Sequence, residues 1–128
     1  MNEPEFLDAA RIKELHHESL ERWGGRDGLR DENAFESAVF QPQNVHFYQN
    51  GDLYDIAAAY CFHLAESQAF YEGNKRTGVA AGLAFLEVNG VDTSKDVGTD
   101  LYDAMIAISN HEMNREGLAM LMRELFEK

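Results

Sequence analysis

Apolar residues recur at helical spacing along most of the chain. Between Asp8 and Trp23, the residues Ile12, Leu15, Ser19, Leu20 and Trp23 fall roughly on one face. Asp8 is placed to cap that helix, and Gly24-Gly25 stops it. A short second helix is expected after Asp31, with Ala34, Phe35, Ala38 and Val39 as its stripe and Pro42 at its end. From about Leu53 to Ser67 the pattern is apolar nearly all round, as in a helix at the centre of a bundle. A short loop, Gln68 to Gly73, leads into an Ala-, Gly- and Leu-rich helix from Asn74 to Val88, ended by Asn89-Gly90. Two further helices are expected, about Thr99 to Asn110 and Asn114 to Glu127.

The stretch from Asn44 to Tyr54 stands apart. Val45, Phe47 and Tyr48 prefer extended chain, and Asn50-Gly51 is a tight-turn signal. This predicts a short hairpin or flap, the one strand-like part of the chain. The expected fold is all-α, a helical bundle with a short β-hairpin flap, as a single domain over residues 1–128.

Composition narrows the function classes. A chain of 128 residues, 45% of them hydrophobic, buries a core without disulfide or metal staples. Its 23 acidic and 11 basic side chains leave a net charge of −12. That balance argues against general nucleic-acid binding, which needs clustered Lys and Arg, and against docking on an anionic membrane. The single cysteine, Cys61, forms no internal disulfide, which fits a reducing compartment. The N-terminal segment lacks the basic and apolar regions of a signal peptide, and the apolar run Val79 to Leu86 is too short to span a bilayer. A soluble cytoplasmic protein is expected, with no nucleic acid or membrane as direct partner.

Against this acidic background, the stretch from Gln68 to Gly78 (QAFYEGNKRTG) carries local chemistry. It is a loop entering a buried helix, whose start exposes unpaired N–H groups and the positive end of the helix dipole. Gly73 permits close approach of a ligand to the backbone. Lys75 and Arg76 place two cations in the first turn, the wrong sign for helix stability and the right sign for an anion. Glu72 offers one hard oxygen, which suits Mg²⁺ shared with phosphates. The same residues also read as a charged helix start facing solvent, with Gly73 as plain turn chemistry.

Gln68 to Arg76 resembles the signature loop of the Fic/Doc family, His-x-Phe-x-(Asp/Glu)-(Gly/Ala)-Asn-(Gly/Lys)-Arg. The Lys at its eighth position resembles the Doc (death-on-curing) branch, the toxins of toxin–antitoxin modules. The flanking segments IAAAYCFHLAES and TGVAAGLAFLEVNG are similar to the two central helices of that branch, and the early WGG turn and the flap also fit. The resemblance covers about residues 10 to 125. It implies that Phe70 anchors the loop and that Glu72 coordinates Mg²⁺ on the nucleotide phosphates. It further implies that Gly73, Asn74 and Lys75 line the anion hole and that Arg76 contacts a phosphate. The flap, with Val45, His46, Phe47 and Tyr48, would hold a target segment as an added strand. The implied activity is transfer of a phosphate, or AMP, from ATP or another nucleoside triphosphate to a protein hydroxyl. The implied partners are a separate antitoxin chain and a protein substrate, an elongation factor for some members of the branch.

The chain departs from the family pattern where the catalytic His belongs, at Gln68. A glutamine amide holds a hydroxyl by a hydrogen bond but does not titrate in the useful range. Three readings remain open: a variant that positions the hydroxyl without deprotonating it, a pseudoenzyme that binds nucleotide or antitoxin, and an inactivated copy. A second departure is Val79, where members that transfer AMP often carry another Arg, and it favours phosphate transfer. Among the other histidines, His63 reads as a structural core residue, His46 is a base candidate on the flap, and His16 and His17 read as helix surface or helix contacts. His111 falls near the last turn, Cys61 reads as core, and the methionines read as packing. No Glu-Gly or Glu-Asn pair fits the inhibitory motif (Ser/Thr)-x-x-x-Glu-(Gly/Asn), so inhibition is expected from a second chain.

Overall fold

The computed structural model describes residues 3–127. Six helices follow one another: α1 (Ala9–Trp23), α2 (Glu32–Gln49), α3 (Leu53–Glu66), α4 (Asn74–Val88), α5 (Gly98–Ser109) and α6 (Arg115–Phe126). Four of them begin at a capping side chain: Asp8, Asp31, Asp52 and Asn114 each accept a backbone N–H from the first turn. The expected bounds of the α4 helix match those observed.

The hairpin flap is not present. Val45, His46, Phe47 and Tyr48 lie in the last turns of α2, which passes straight through Pro42. Phe35, Ala38, Pro42 and Val45 are buried at a spacing of three or four residues, so one helical face continues into the core. That burial outweighs the local β preference of the Val-, Phe- and Tyr-containing stretch. Asn50, at φ 53°, closes α2 as a left-handed cap, so Asn50-Gly51 ends a helix rather than turning a hairpin. Among the described residues the only strand-type pairing is one antiparallel bridge, Leu29 with Phe70.

The central helix is α3. Its residues from Ile56 to Cys61 are all buried, and it packs on α4 above all, then on α2 and α6. The Tyr60 hydroxyl accepts from Leu7 N at 2.9 Å and holds the chain ahead of α1 against the core. Asn89, at the end of α4, exchanges hydrogen bonds with the Glu5 backbone at 2.8 and 2.9 Å. Burial pushes the Cys61 thiol up to about 12, so it is a small core residue and not a nucleophile. No helix of the described residues is long and apolar enough to cross a membrane.

His63, on α3, is half-buried, and its Nε2 lies 3.0 Å from Arg115 Nη1 at the start of α6. A guanidinium only donates, so Nε2 is bare and the ring is neutral. Burial first, and then the Arg115 charge, lower its pKa from 6.5 to about 4. Between those values the unfolded chain binds a proton that the folded chain does not. Stability is therefore complete above 6.5 and is lost as pH falls toward about 4. Urea midpoints measured across that range should decline, and His63→Gln should flatten the decline; an unchanged slope would remove His63 as its source.

Candidate active site

The loop between α3 and α4 is held from both sides. After α3, Gln68 turns left-handed at φ 53°, and its side-chain Nε2 donates to Ala65 O at 2.9 Å. Its carbonyl accepts from Arg30 Nε and Nη2 at 3.0 and 2.6 Å. The Arg30 and Asp31 N–H groups donate to Ala69 O, and Tyr71 N donates to Gly28 O at 3.2 Å. The segment between α1 and α2 is thus a rail along which the loop is laid. Asn74 closes the loop from within. Its Oδ1 accepts from Phe70 N and its Nδ2 donates to Phe70 O, both at 3.0 Å.

Phe70 is buried, its ring stacked on His16 at 3.7 Å and edge-on to Phe35 at 5.4 Å. His16 Nε2 lies 2.8 Å from Glu72 O. A carbonyl only accepts, so Nε2 carries the proton, and Nδ1 faces the Asp27 carboxylate at 4.0 Å. The expectation of a surface or simple helix-contact role for His16 is corrected here: it is 2% exposed and supports the loop. His16→Ala should cost about 1–3 kcal/mol in denaturant unfolding by leaving the Glu72 carbonyl without its donor. His16→Gln, which keeps a donor, should cost less.

Gly73 begins α4 at φ 81°, a conformation that favours glycine, and supplies no side-chain cap. The first helical hydrogen bond is Thr77 N to Gly73 O at 2.9 Å. The N–H groups of Asn74, Lys75 and Arg76 are therefore the orphan donors of this helix, with no acid in its first turn. They adjoin a cleft of about 520 Å³ whose walls are residues 23–25, 68 and 71–76. Arg76 Nη2 donates to Gly24 O at 3.2 Å, which fixes the guanidinium at the cleft edge. Arg26 stacks on the Tyr71 ring at 3.8 Å, and its N–H donates to Glu72 Oε2.

One end of the Glu72 carboxylate is thus oriented by the backbone. Among the described residues no three metal-ligating side chains cluster. A cation at Glu72 would take its remaining ligands from phosphate and water, the donor set that suits Mg²⁺. The arrangement can hold a phosphate on backbone N–H groups between two cations, with a carboxylate beside it for a shared metal.

The structure brings Gln68 and Glu72 to Arg76 together at this cleft and leaves Val45 to Tyr48 out of its walls. Asn74 is buried with its side chain committed to Phe70, so what it offers a ligand is its N–H. The residues missed by sequence reasoning are His16 and Arg30. Arg30 had one signal, its place in the Gly- and Arg-rich stretch Gly24 to Arg30; His16 had none.

A family model described as "Fic/DOC family" matches residues 6–86 of the chain. The chain is 28% identical over 113 residues to "Protein kinase doc" of Escherichia phage P1, covering 88% of each. It is 34% identical over 102 residues to "Toxin Doc" of Mycolicibacterium smegmatis (strain ATCC 700084 / mc(2)155), covering 76% of this chain and 77% of that protein.

Proposed function

As the chain belongs to the Fic/DOC family, in its Doc branch, we propose that it is the toxin of a toxin–antitoxin module, acting by phosphate transfer from a nucleoside triphosphate to a protein hydroxyl. The observation that carries this reading is the uncapped start of α4, where free N–H groups stand with Lys75 and Arg76 beside Glu72. The Asn74, Lys75 and Arg76 N–H groups bind the transferred phosphate, and the two cations balance its charge. Mg²⁺, held by Glu72, would draw charge from the phosphate oxygens when bound. The hydroxyl oxygen bonds to phosphorus, the bond to the leaving nucleoside diphosphate breaks, and the hydroxyl proton passes to water. Gln68 positions the hydroxyl and takes no proton. An antitoxin chain is the proposed regulator, and the whole chain is proposed to act as one domain in the cytoplasm.

A second reading, a non-catalytic binder of nucleotide or antitoxin, is favoured by one contact: the Gln68 amide is already engaged with Ala65 O. Calorimetric titration with ATP, with and without Mg²⁺, tests what both readings share. Binding that requires Mg²⁺ and weakens about tenfold or more in Lys75→Ala and Arg76→Ala is expected, each variant removing one charge-assisted contact. No ATP binding at all would overturn both. Radiolabel from the terminal phosphate of ATP appearing on protein separates them.

A further inference from the structure

We propose that Arg26 is a positioning residue for the Glu72 carboxylate: by holding one of its oxygens, Arg26 leaves a single oxygen for a cation and sets a preference for Mg²⁺ over Ca²⁺. This rests on the Mg-nucleotide reading above, and adds to it a residue outside the signature loop and a choice of metal. Arg26 grips two neighbouring loop residues at once. Its guanidinium lies 3.8 Å over the Tyr71 ring, and its N–H donates to Glu72 Oε2. No hydrogen bond reaches Glu72 Oε1 among the described residues. The segment that carries Arg26 is tied down on both sides. Gly24 O accepts from Arg76 Nη2 at 3.2 Å, and Gly28 O accepts from Tyr71 N at 3.2 Å.

Gly25 makes the approach possible. It has φ 125°, and a Cβ there would lie 3.1 Å from Glu72 Oε2. The stack is not a demand of the core, since Arg26 and Tyr71 are both exposed. An exposed cation–π pair adds little to stability. What it fixes is the place of the Arg26 N–H against the carboxylate. The consequence for a metal follows from how carboxylates are used. Ca²⁺ takes more oxygens in a looser geometry, often both from one carboxylate, whereas Mg²⁺ is octahedral and keeps water and phosphate in most positions. With Oε2 committed to an N–H, Glu72 offers the one-oxygen contact that suits Mg²⁺ and withholds the two-oxygen contact that suits Ca²⁺. A hydrogen bond to a ligating carboxylate also fixes the direction of its free oxygen.

The full chain is titrated by calorimetry with ATP in excess Mg²⁺ and again in excess Ca²⁺, and the ratio of the two affinities is the readout. The unmodified chain should bind ATP more tightly with Mg²⁺. Arg26→Ala should lower the ratio about two- to fivefold, the size of one exposed cation–π contact. Tyr71→Ala should match it, and the double variant should lose no more than either alone. Arg26→Lys, which keeps a cation over the ring, should lose less. Gly25→Ala, which pushes the segment off the carboxylate, should lower affinity with Mg²⁺ about tenfold or more, the usual cost of losing such an outer contact, and affinity with Ca²⁺ less. Equal affinity with the two metals in the unmodified chain would overturn the proposal. So would a ratio that survives both Arg26→Ala and Gly25→Ala, since a general loosening weakens both metals alike. Binding of ATP with neither metal would overturn the nucleotide reading itself, and this inference with it, so the two failures are told apart.

Discussion

Gln68→His should raise phosphate transfer to protein by about 10²- to 10⁴-fold, the usual contribution of a general base. ATP affinity should stay within about twofold, because position 68 supplies no contact to the phosphate. Residue 68 has φ 53°, a conformation histidine adopts more readily than most residues. The grip on this residue is on its carbonyl, through Arg30, and a new side chain leaves that contact in place. The imidazole would then have the cleft before it and a titratable nitrogen near neutral pH. The measurement is label transfer from ATP into protein, together with growth after induction of each version. Equal label in both versions would mean that position 68 is not where the base acts.

Gly78→Ala is expected to destabilise the fold more than any exposed substitution. A Cβ at position 78 would lie 2.6 Å from Cys61 O, a backbone atom of α3 that cannot swing aside. The helices must separate, at a cost of about 1–3 kcal/mol or more, the usual range for overpacking. A thermal midpoint lower by roughly 4 °C for each kcal/mol would report it. Gly82 offers a built-in comparison, since its Cβ would meet the Cys61 sulfur as well as Ala57 O. Cys61→Ala should therefore relieve part of the cost of Gly82→Ala and none of the cost of Gly78→Ala. Equal rescue of the two would show that the side chain, not the carbonyl, sets the helix spacing.

What could be read from the chain followed how local each signal was. Asp8 and Asn114 mark helix starts through side-chain contacts within one turn, and the helices begin there. The loop from Phe70 to Arg76 was legible for the same reason, its chemistry being contiguous. The end of α2 was misread because two local signals, a proline and an Asn-Gly pair, were weighed above the burial of Pro42 and Val45 on the face begun by Phe35. Pro42 sits at a buried position of a helix that the core requires, and one lost backbone bond does not end it. His16 and Arg30 were invisible as site residues because their partners, Glu72 and Gln68, lie 56 and 38 residues away. Their roles come from the crossing of α1 and its following segment over the loop, which no spacing rule encodes.

The grip of Arg30 on the carbonyl of residue 68 has a genetic consequence. Glutamine and histidine codons differ only at the third base. That substitution gives up the Gln68 side-chain bond to Ala65 O and leaves the Arg30 contact to the carbonyl in place. On the role proposed for position 68, a single transversion therefore separates a chain with a proton acceptor there from one without, and the Arg30 contact is common to both.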